Sequence, residues 1–442
     1  MRHILTILLL TLSCMILAQE KLDSVGAIIR DASTGEPIQY ANVYVSPTCG
    51  TISNDDGEFC LQCLPTDSIR ISCIGFQRLS YRASELPATI RMRPISTQLR
   101  ELTVSSGNGI IYQLVHKMQR EAKKHRKAQA QYFFRMATCY PGTDELAEAI
   151  MSAKSCVQIR DITFHSGSRG QLRDGKLDSP SLTGLGRTNL HIFLRLAPVL
   201  VNYNIWDFTY VPADIVLRKI KDLYDISCTQ FTEEDGTEIS KIRVTANPSA
   251  SSQPILDGTL YIDRKRCRLL RFDGQMHGLQ IVLYDQAREQ HYYAGIDYTM
   301  HVDYRHDHGF TEIANMSGTI VRDSVKIRQL LYNLGDKKLS FQKSVRVGEN
   351  MIHAIDQAGF DSTLWAANNI VKRTQVEERI AFRDSSFWSS RKSGYETPPT
   401  AQDQYLQNAI QQLMSGTMQL QRTRPAPTGP VKPIATSRKR KP

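Results

Sequence analysis

The chain has 442 residues, 41% hydrophobic and 22% charged; these ordinary globular values leave room for two or three domains and exclude disordered, collagen-like and repeat classes. Lysine and arginine exceed aspartate and glutamate by 11, but the excess sits in two segments: residues 422–442 hold seven basic residues and no acid, and residues 117–127 hold six against Glu121 alone. The remainder carries −1, so no broad polyphosphate-binding face is expected and nucleic acid is not expected as a partner.

Residues 1–18 have the pattern of an export signal. Met1-Arg2-His3 is a short basic start, Ile4 to Leu12 is an apolar run, and Ala18 offers a small residue before Gln19. The run is shorter than the ~20 residues a bilayer-spanning helix needs. Thr11-Leu12-Ser13 is a poor acylation context for Cys14, so cleavage after Ala18 is favoured over lipidation. The expected location is outside the cytoplasm: periplasm, outer-membrane associated or cell surface. Cys49, Cys60, Cys63 and Cys73 form one even group of cysteines, and Cys139, Cys156, Cys228 and Cys267 a second. The first has a spacing that suits zinc in a cytosolic chain. In an exported one, disulfides or packed thiols are the plainer reading, and spacing alone leaves the pairing open.

Residues 19–104 are predicted as a small antiparallel β-sandwich. Val25, Ala27 and Ile29 alternate, Asp31 to Pro37 turns, and Ile38 to Val45 alternates again. Asn54-Asp55-Asp56-Gly57 reads as a hairpin turn; Phe59 and Leu61 share one face, as do Ile69, Ile71 and Cys73 after the Pro65-Thr66-Asp67 turn. Gly35, Gly57 and Gly75 suit positions of positive φ. The run Gly26-x-Ile28-x-x-Asp31-x-x-Thr34-Gly35-Glu36-Pro37-Ile38-x-x-Ala41-Asn42-Val43, then Thr51-x-Ser53-Asn54-x-x-Gly57-x-Phe59-x-Leu61, then Ile71-x-x-Ile74-Gly75-Phe76, resembles the carboxypeptidase-regulatory-like domain. The resemblance implies a transthyretin-like, seven-stranded accessory module of Gram-negative envelope proteins, without peptidase chemistry. No His in the chain is followed two residues later by a Glu, as a zinc carboxypeptidase requires.

Residues 105–130 are predicted as a linker helix: Ile111, Leu114, Val115, Met118 and Ala122 recur at helical spacing, with the basic cluster on the opposite face. Residues 131–361 are predicted as an antiparallel half-barrel, a meander with turns at Asp235-Gly236, Asp257-Gly258, Asp273-Gly274 and His308-Gly309. Ala147 to Met151 and Thr188 to Leu200 are read as helices packed across it. Gly258 to Asp263 after Ile242-x-Val244, Ala147-Glu148-Ala149 before Ser152-Ala153-Lys154 and Arg160-Asp161, and Phe387-Trp388-x-x-Arg391 resemble the periplasmic region of uncharacterised outer-membrane proteins that carry the same N-terminal sandwich. Those relatives continue into a transmembrane barrel. The roughly 50 residues after Arg391 are too few for eight strands of about 9 to 11 residues each. The β region is also similar to the open half-barrels that carry lipoproteins across the periplasm. Residues 362–421 are predicted as helical over Trp365 to Ile380 and Gln402 to Gln421, and residues 422–442 as a disordered basic tail.

No spaced catalytic set, phosphate-binding loop or dinucleotide fingerprint occurs, and no cofactor is expected. His301-Val302-Asp303-Tyr304-Arg305-His306-Asp307-His308 is the local cluster of metal-ligand types, with His306, Asp307 and His308 as its candidate ligands; the plainer reading is a strand with His301, Asp303 and Arg305 on one face, followed by a polar turn from His306 to Gly309 before Phe310. Leu190, Ile192, Phe193, Leu194 and Leu196 are the candidate lid over the apolar concave side of the half-barrel. The expected function is that of a non-enzymatic envelope protein binding an apolar ligand or an envelope protein partner; the alternative is a hydrolase with an unrecognised site.

Overall fold

A computed structural model describes residues 22–95, 108–173, 176–178, 224–246, 255–284, 290–322, 325–335, 340–347, 351–366 and 370–381. The signal-like segment, Cys14, the lid residues Leu190 to Leu196, the segments 387–391 and 402–421 and the basic tail lie outside them.

Seven short strands build the N-terminal sandwich. They are β1 (Asp23–Asp31), β2 (Asn42–Ser46), β3 (Cys49–Ile52), β4 (Glu58–Cys63), β5 (Ser68–Ser72), β6 (Leu79–Arg82) and β7 (Thr89–Met92). One sheet has the order β4-β1-β7, with β1 and β7 parallel, and the other β3-β2-β5-β6. Alternation sends Ile29, Val43, Phe59, Leu61, Ile69, Ile71 and Ile90 into a core where each is fully buried. The Asn54 to Gly57 turn does not close a hairpin, because β3 and β4 belong to different sheets. It is a corner between the layers, where the Asn54 side-chain oxygen accepts the amides of Asp56 and Glu58. Gly57 has φ +76°, and a Cβ there would lie 2.5 Å from the Ile29 carbonyl oxygen, so the corner requires glycine.

Helix α1 (Asn108–Lys124) precedes the second domain. Its strands are β8 (Gln129–Tyr140), β9 (Thr143–Cys156), β10 (Gln158–Arg173), β11 (Lys176–Asp178), β12 (Tyr224–Thr232), β13 (Glu238–Ala246), β14 (Ile255–Asp263), β15 (Arg268–Tyr284), β16 (Gln290–Arg305), β17 (Glu312–Arg322), β18 (Val325–Asn333) and β19 (Val345–Arg346). They form one antiparallel sheet in the order β11-β10-β9-β8-β18-β17-β16-β15-β14-β13-β12, with β19 paired to β10. The Val157 amide, between β9 and β10, donates to the Thr311 carbonyl, just before β17, at 2.8 Å. Four strand spacings separate β10 from β17 in the sheet, about 19 Å if it were flat. The sheet is therefore curled into a half-barrel.

Its concave side is filled by α1. Ile111, Leu114, Val115, Met118 and Ala122 are at most 5% exposed and share a core with Tyr132, Phe134, Met151, Phe272, Tyr298, Val302 and Met316 from five strands. The helix that joins the domains is thus also a core element of the second.

The Ala147 to Met151 segment is strand, not helix. Its helix-forming composition is overridden because both faces are covered: Ala147, Ala149 and Met151 belong to the core around α1, whereas Ile150 belongs to the cluster with Trp365 and Val371 on the opposite face. Asp257-Gly258 and Asp273-Gly274 are not turns either. Gly258 and Gly274 pair across β14 and β15, and a Cβ on either would come within 2.6 Å of the Phe272 ring. These glycines make room for an aromatic side chain. Past β18 come α2 (Met351–Ala358), α3 (Ser362–Ala366) and α4 (Gln375–Ala381); residues 370–374 are not helical, so the helix predicted over Trp365 to Ile380 is broken.

Replacing Met118 by Ala should cost about 2–5 kcal/mol of stability, whereas Lys123→Ala on the exposed face should stay within about 0.5 kcal/mol. Urea unfolding of the two variants measures both.

Candidate functional site

The sheet's convex face meets the sandwich, and the site lies there. Strand alternation puts Arg271 and Asp273 of β15, His301 and Asp303 of β16, and Asn315 and Ser317 of β17 on this side in cross-strand register: Arg271 opposite Asp303, Asp273 opposite His301, Ser317 opposite His301. The Arg271 guanidinium donates to both Asp303 oxygens at 2.7 and 3.3 Å and to the Cys73 sulfur of the sandwich at 3.5 Å. His301 Nδ1 lies 2.5 Å from Asp273 Oδ1 and its Nε2 lies 3.2 Å from Asp303 Oδ2, which also accepts from Asn315. Tyr40 stacks on the His301 ring at 4.9 Å, and its hydroxyl donates to Asp55.

Burial favours neutral forms here and is overruled. Asp303 is held well below the usual carboxylate range because Arg271 and His301 outweigh its desolvation. His301 is raised above the ordinary imidazole value, its burial outweighed by the Asp303 carboxylate and by hydrogen bonds to Asp273 and Asp303. Each ring nitrogen faces a carboxylate at hydrogen-bonding distance, so neither is left to take a proton from a substrate.

Above this floor opens a cleft of about 720 Å³ between the two domains. The sandwich supplies the wall through the Asp31 to Tyr40 loop and Phe76; the sheet supplies Arg243, Thr259, Asp273, Gln275, Thr299 and Thr319. The volume is typical of ligand sites, and the sheet side offers hydroxyl, amide and charged groups beside Val244 and Met300.

Two anchors fix the cleft's geometry. At one end the β12–β13 turn grips the sandwich: Glu233 accepts the Gly75 amide at 3.2 Å and Asp235 pairs with Arg78 at 2.9 Å. At the other, residues 370–381 act as a strap. Lys372 pairs with Glu58 at 2.8 Å, while Arg373 and Arg135 converge on Glu148 of β9 at 2.6 and 2.7 Å. Glu148 is 1% exposed, and its carboxyl is held below the ordinary range because the two guanidiniums outweigh its burial. Helix α4 starts with a capping box: Glu377 accepts the Thr374 amide and Thr374 Oγ1 accepts the Glu377 amide.

The metal-ligand candidates His306, Asp307 and His308 are not at this cleft, and the lid candidates Leu190 to Leu196 lie outside the described residues. His306 Nε2 lies 2.7 Å from the Leu269 carbonyl, His308 lies 3.4 Å from Glu312, and Asp307 is exposed in the turn between β16 and β17. They form the polar turn, and among the described residues no three His, Cys, Asp or Glu side chains converge as a metal site. The eight cysteines from Cys49 to Cys267 carry thiols rather than disulfides. A Ser–His contact that sequence spacing did not reveal joins Ser152 Oγ to His165 Nε2 at 2.8 Å, with His165 Nδ1 3.0 Å from the Lys343 carbonyl. The His165 ring lies flat against Phe341 at 3.5 Å. Ser152 sits mid-strand, paired to Gln131 and Thr163, so the ladder leaves no run of free amides to face an oxyanion.

The model of the CarboxypepD_reg-like domain matches residues 26–104. The N-terminal sandwich is a CarboxypepD_reg-like domain. Its seven strands in two layers are the module implied by the Gly26 to Phe76 pattern. No curated protein matches the chain. Among solved structures, a DUF1329 family protein from Desulfovibrio piger aligns at 11% identity over 53% of this chain and 96% of that one, with a TM-score of 0.22. MucB in complex with MucA(peri) aligns at 8% identity over 51% and 93%, TM-score 0.16. An outer membrane lipoprotein-sorting protein domain from Vibrio parahaemolyticus aligns at 9% over 52% and 94%, TM-score 0.19. TM-scores of 0.16 to 0.22 carry nothing over to this chain, whose function is read from its own residues.

Glu148→Gln removes the buried carboxylate on which the buried Arg135 and the part-exposed Arg373 converge and should cost about 3–5 kcal/mol in urea unfolding. A raised folded-state value for His301 means that its stabilisation is complete below the unfolded pKa of 6.5 and is lost as pH rises through the folded one. The stability advantage of wild type over His301→Gln should therefore shrink from about pH 6 to 9, as thermal melts across that range would record.

Proposed function

We propose that this protein is a non-enzymatic protein of the cell envelope whose CarboxypepD_reg-like domain and curled sheet together hold a short extended segment of a partner protein in the cleft between them. Export is supported by the signal-like first 18 residues, and no helix among the described residues is long and apolar enough to cross a membrane.

The cleft lining is the observation that carries the reading. Thr259, Gln275, Thr299 and Thr319 offer hydrogen-bonding groups spaced along neighbouring strands, while Pro37, Tyr40 and Phe76 offer apolar contacts on the wall. A peptide combines backbone polar groups with apolar side chains and matches both; an apolar ligand would bury the Thr and Gln groups without partners. The described part of the sheet's apolar face is already occupied by α1, which disfavours the apolar ligand, one of the two occupants expected from the sequence. Catalysis is disfavoured because the one imidazole at the cleft has both nitrogens committed to carboxylates.

A hydrolase reading is favoured by one observation, the 2.8 Å Ser152–His165 hydrogen bond. Labelling of the purified protein by a fluorophosphonate, lost in Ser152→Ala, would support it over the binding reading.

The cleft is tested by Thr299→Trp, which fills it from an exposed strand position. Native mass spectrometry of wild type isolated from its own envelope should show a bound polypeptide, and the variant, intact by circular dichroism, should lack it. Equal retention by both proteins would remove the cleft from the binding site.

A further inference from the structure

Two basic runs far apart in the sequence meet on one side of the molecule. The first is the 117–127 segment of α1 and the loop after it; the second is the tip of the β14–β15 hairpin, Arg264 to Arg268. Together, residues 117–127 and 263–268 hold ten lysines and arginines against Glu121 and Asp263. The fold seats them side by side: Lys117 Nζ donates to the Arg266 carbonyl at 2.8 Å. Both acids are engaged within the structure. Glu121 accepts the Thr311 amide at 2.9 Å and lies 3.9 Å from Lys117, while Asp263 accepts from the Arg266 amide and guanidinium at 2.9 and 3.1 Å. Outside the two runs, Glu238 lies 4.0 Å from Arg264.

Arg264 also donates to Gln230 at 3.0 Å, and the platform keeps basic side chains at the surface. Arg120, Lys123 and Lys124 are exposed on α1, and Arg264 and Lys265 are exposed on the hairpin tip. Tyr112 and His116, packed edge to face at 4.4 Å, stand on the same helical ridge as Arg120 and Lys123, and Tyr112 is 36% exposed. The apolar stripe of α1 is consumed in the half-barrel, so this surface does not insert as an amphipathic helix would. It has the composition of a peripheral contact: a cluster of cations with an amphipathic aromatic beside them.

We infer that this basic platform docks the protein on the anionic phosphate headgroups of a membrane surface. Charge complementarity selects an anionic partner, and the exposed aromatic together with an export-type leader selects a lipid surface over nucleic acid. The platform is distinct from the cleft: its residues belong to α1, the loop after it and the β14–β15 tip, and none of them lines the cleft.

Co-sedimentation of the purified full chain with vesicles tests the inference. The chain should pellet with mixed phosphatidylglycerol–phosphatidylcholine vesicles and not with phosphatidylcholine alone, and raising salt to about 0.5 M should release it. The quadruple variant Lys123→Glu, Lys124→Glu, Arg264→Glu, Lys265→Glu changes exposed positions only and should weaken binding by about tenfold or more with an unchanged circular dichroism spectrum. Replacing Arg438, Lys439, Arg440 and Lys441 by Ser should leave most of the binding in place. The inference is overturned by equal binding to neutral vesicles, by unchanged binding of the quadruple variant, by loss on tail substitution alone, or by tighter retention on duplex DNA than on anionic vesicles at the same ionic strength.

Discussion

A sheet curled far enough for the Val157 amide to reach the Thr311 carbonyl has a concave side that must be filled. Water there would face Tyr132, Phe134, Phe272 and Tyr298, each nearly or completely buried in the folded chain. Helix α1 removes that surface from solvent, and the rest of the architecture follows. Because the apolar face is satisfied internally, the convex face is left to receive the sandwich, and its alternate strand positions carry the polar side chains that line the cleft. A single helix thus decides on which side of the sheet an interface with another domain can form.

The interface so formed joins an apolar cluster around Ile52, Phe133 and Ile150 with buried charge. Arg271, Asp303, Arg135 and Glu148 are each less than 9% exposed, and ions at such depth are tolerated only when paired and hydrogen-bonded. Their net contribution to stability over apolar packing is small, but any arrangement that separates them is heavily penalised. The consequence is geometric. Arg271 reaches a sandwich cysteine, Arg328 reaches Asp55 at 2.7 Å, and Arg373 of the strap reaches Glu148. The two domains are therefore fixed in orientation by contacts that would be costly to make in any other register.

Much of the fold was legible in the sequence. Period-2 burial of Ala27, Ile29, Phe59 and Leu61 and the helical spacing of Ile111 to Ala122 reflect the simplest rule of the chain, one face in and one face out. Misreadings fell where that rule has two competing sources. Ala147 to Met151 has the composition of a helix but is covered on both faces as strand, and Gly258 and Gly274 look like turn glycines but lie beneath the Phe272 ring. The cleft was obscured by the same error. With Asp273-Gly274 taken as a turn, Arg271 and Asp273 were not recognised as cross-strand neighbours of His301 and Asp303, although His301 and Asp303 were already assigned to one face. Register between strands more than 25 residues apart is not local information. Neither is the meeting of α1 with the β14–β15 tip, which joins two basic runs far apart in the sequence.

The pairing of β8 with β18 joins Tyr132 to Asn333 and Cys139 to Lys326 across the middle of the large sheet. Strands β8 to β11 and strands β12 to β18 each form from sequential neighbours, but the seam between them closes a loop of nearly two hundred residues, and such contacts are slow to form. Until residues 325–333 arrive, β8 presents an open edge flanked by Phe133 and Phe134, the kind of edge that recruits foreign strands. A chain that emerges from its N-terminus therefore carries this exposed edge while nearly two hundred further residues are made or translocated, and β18 is the strand that makes the sheet continuous.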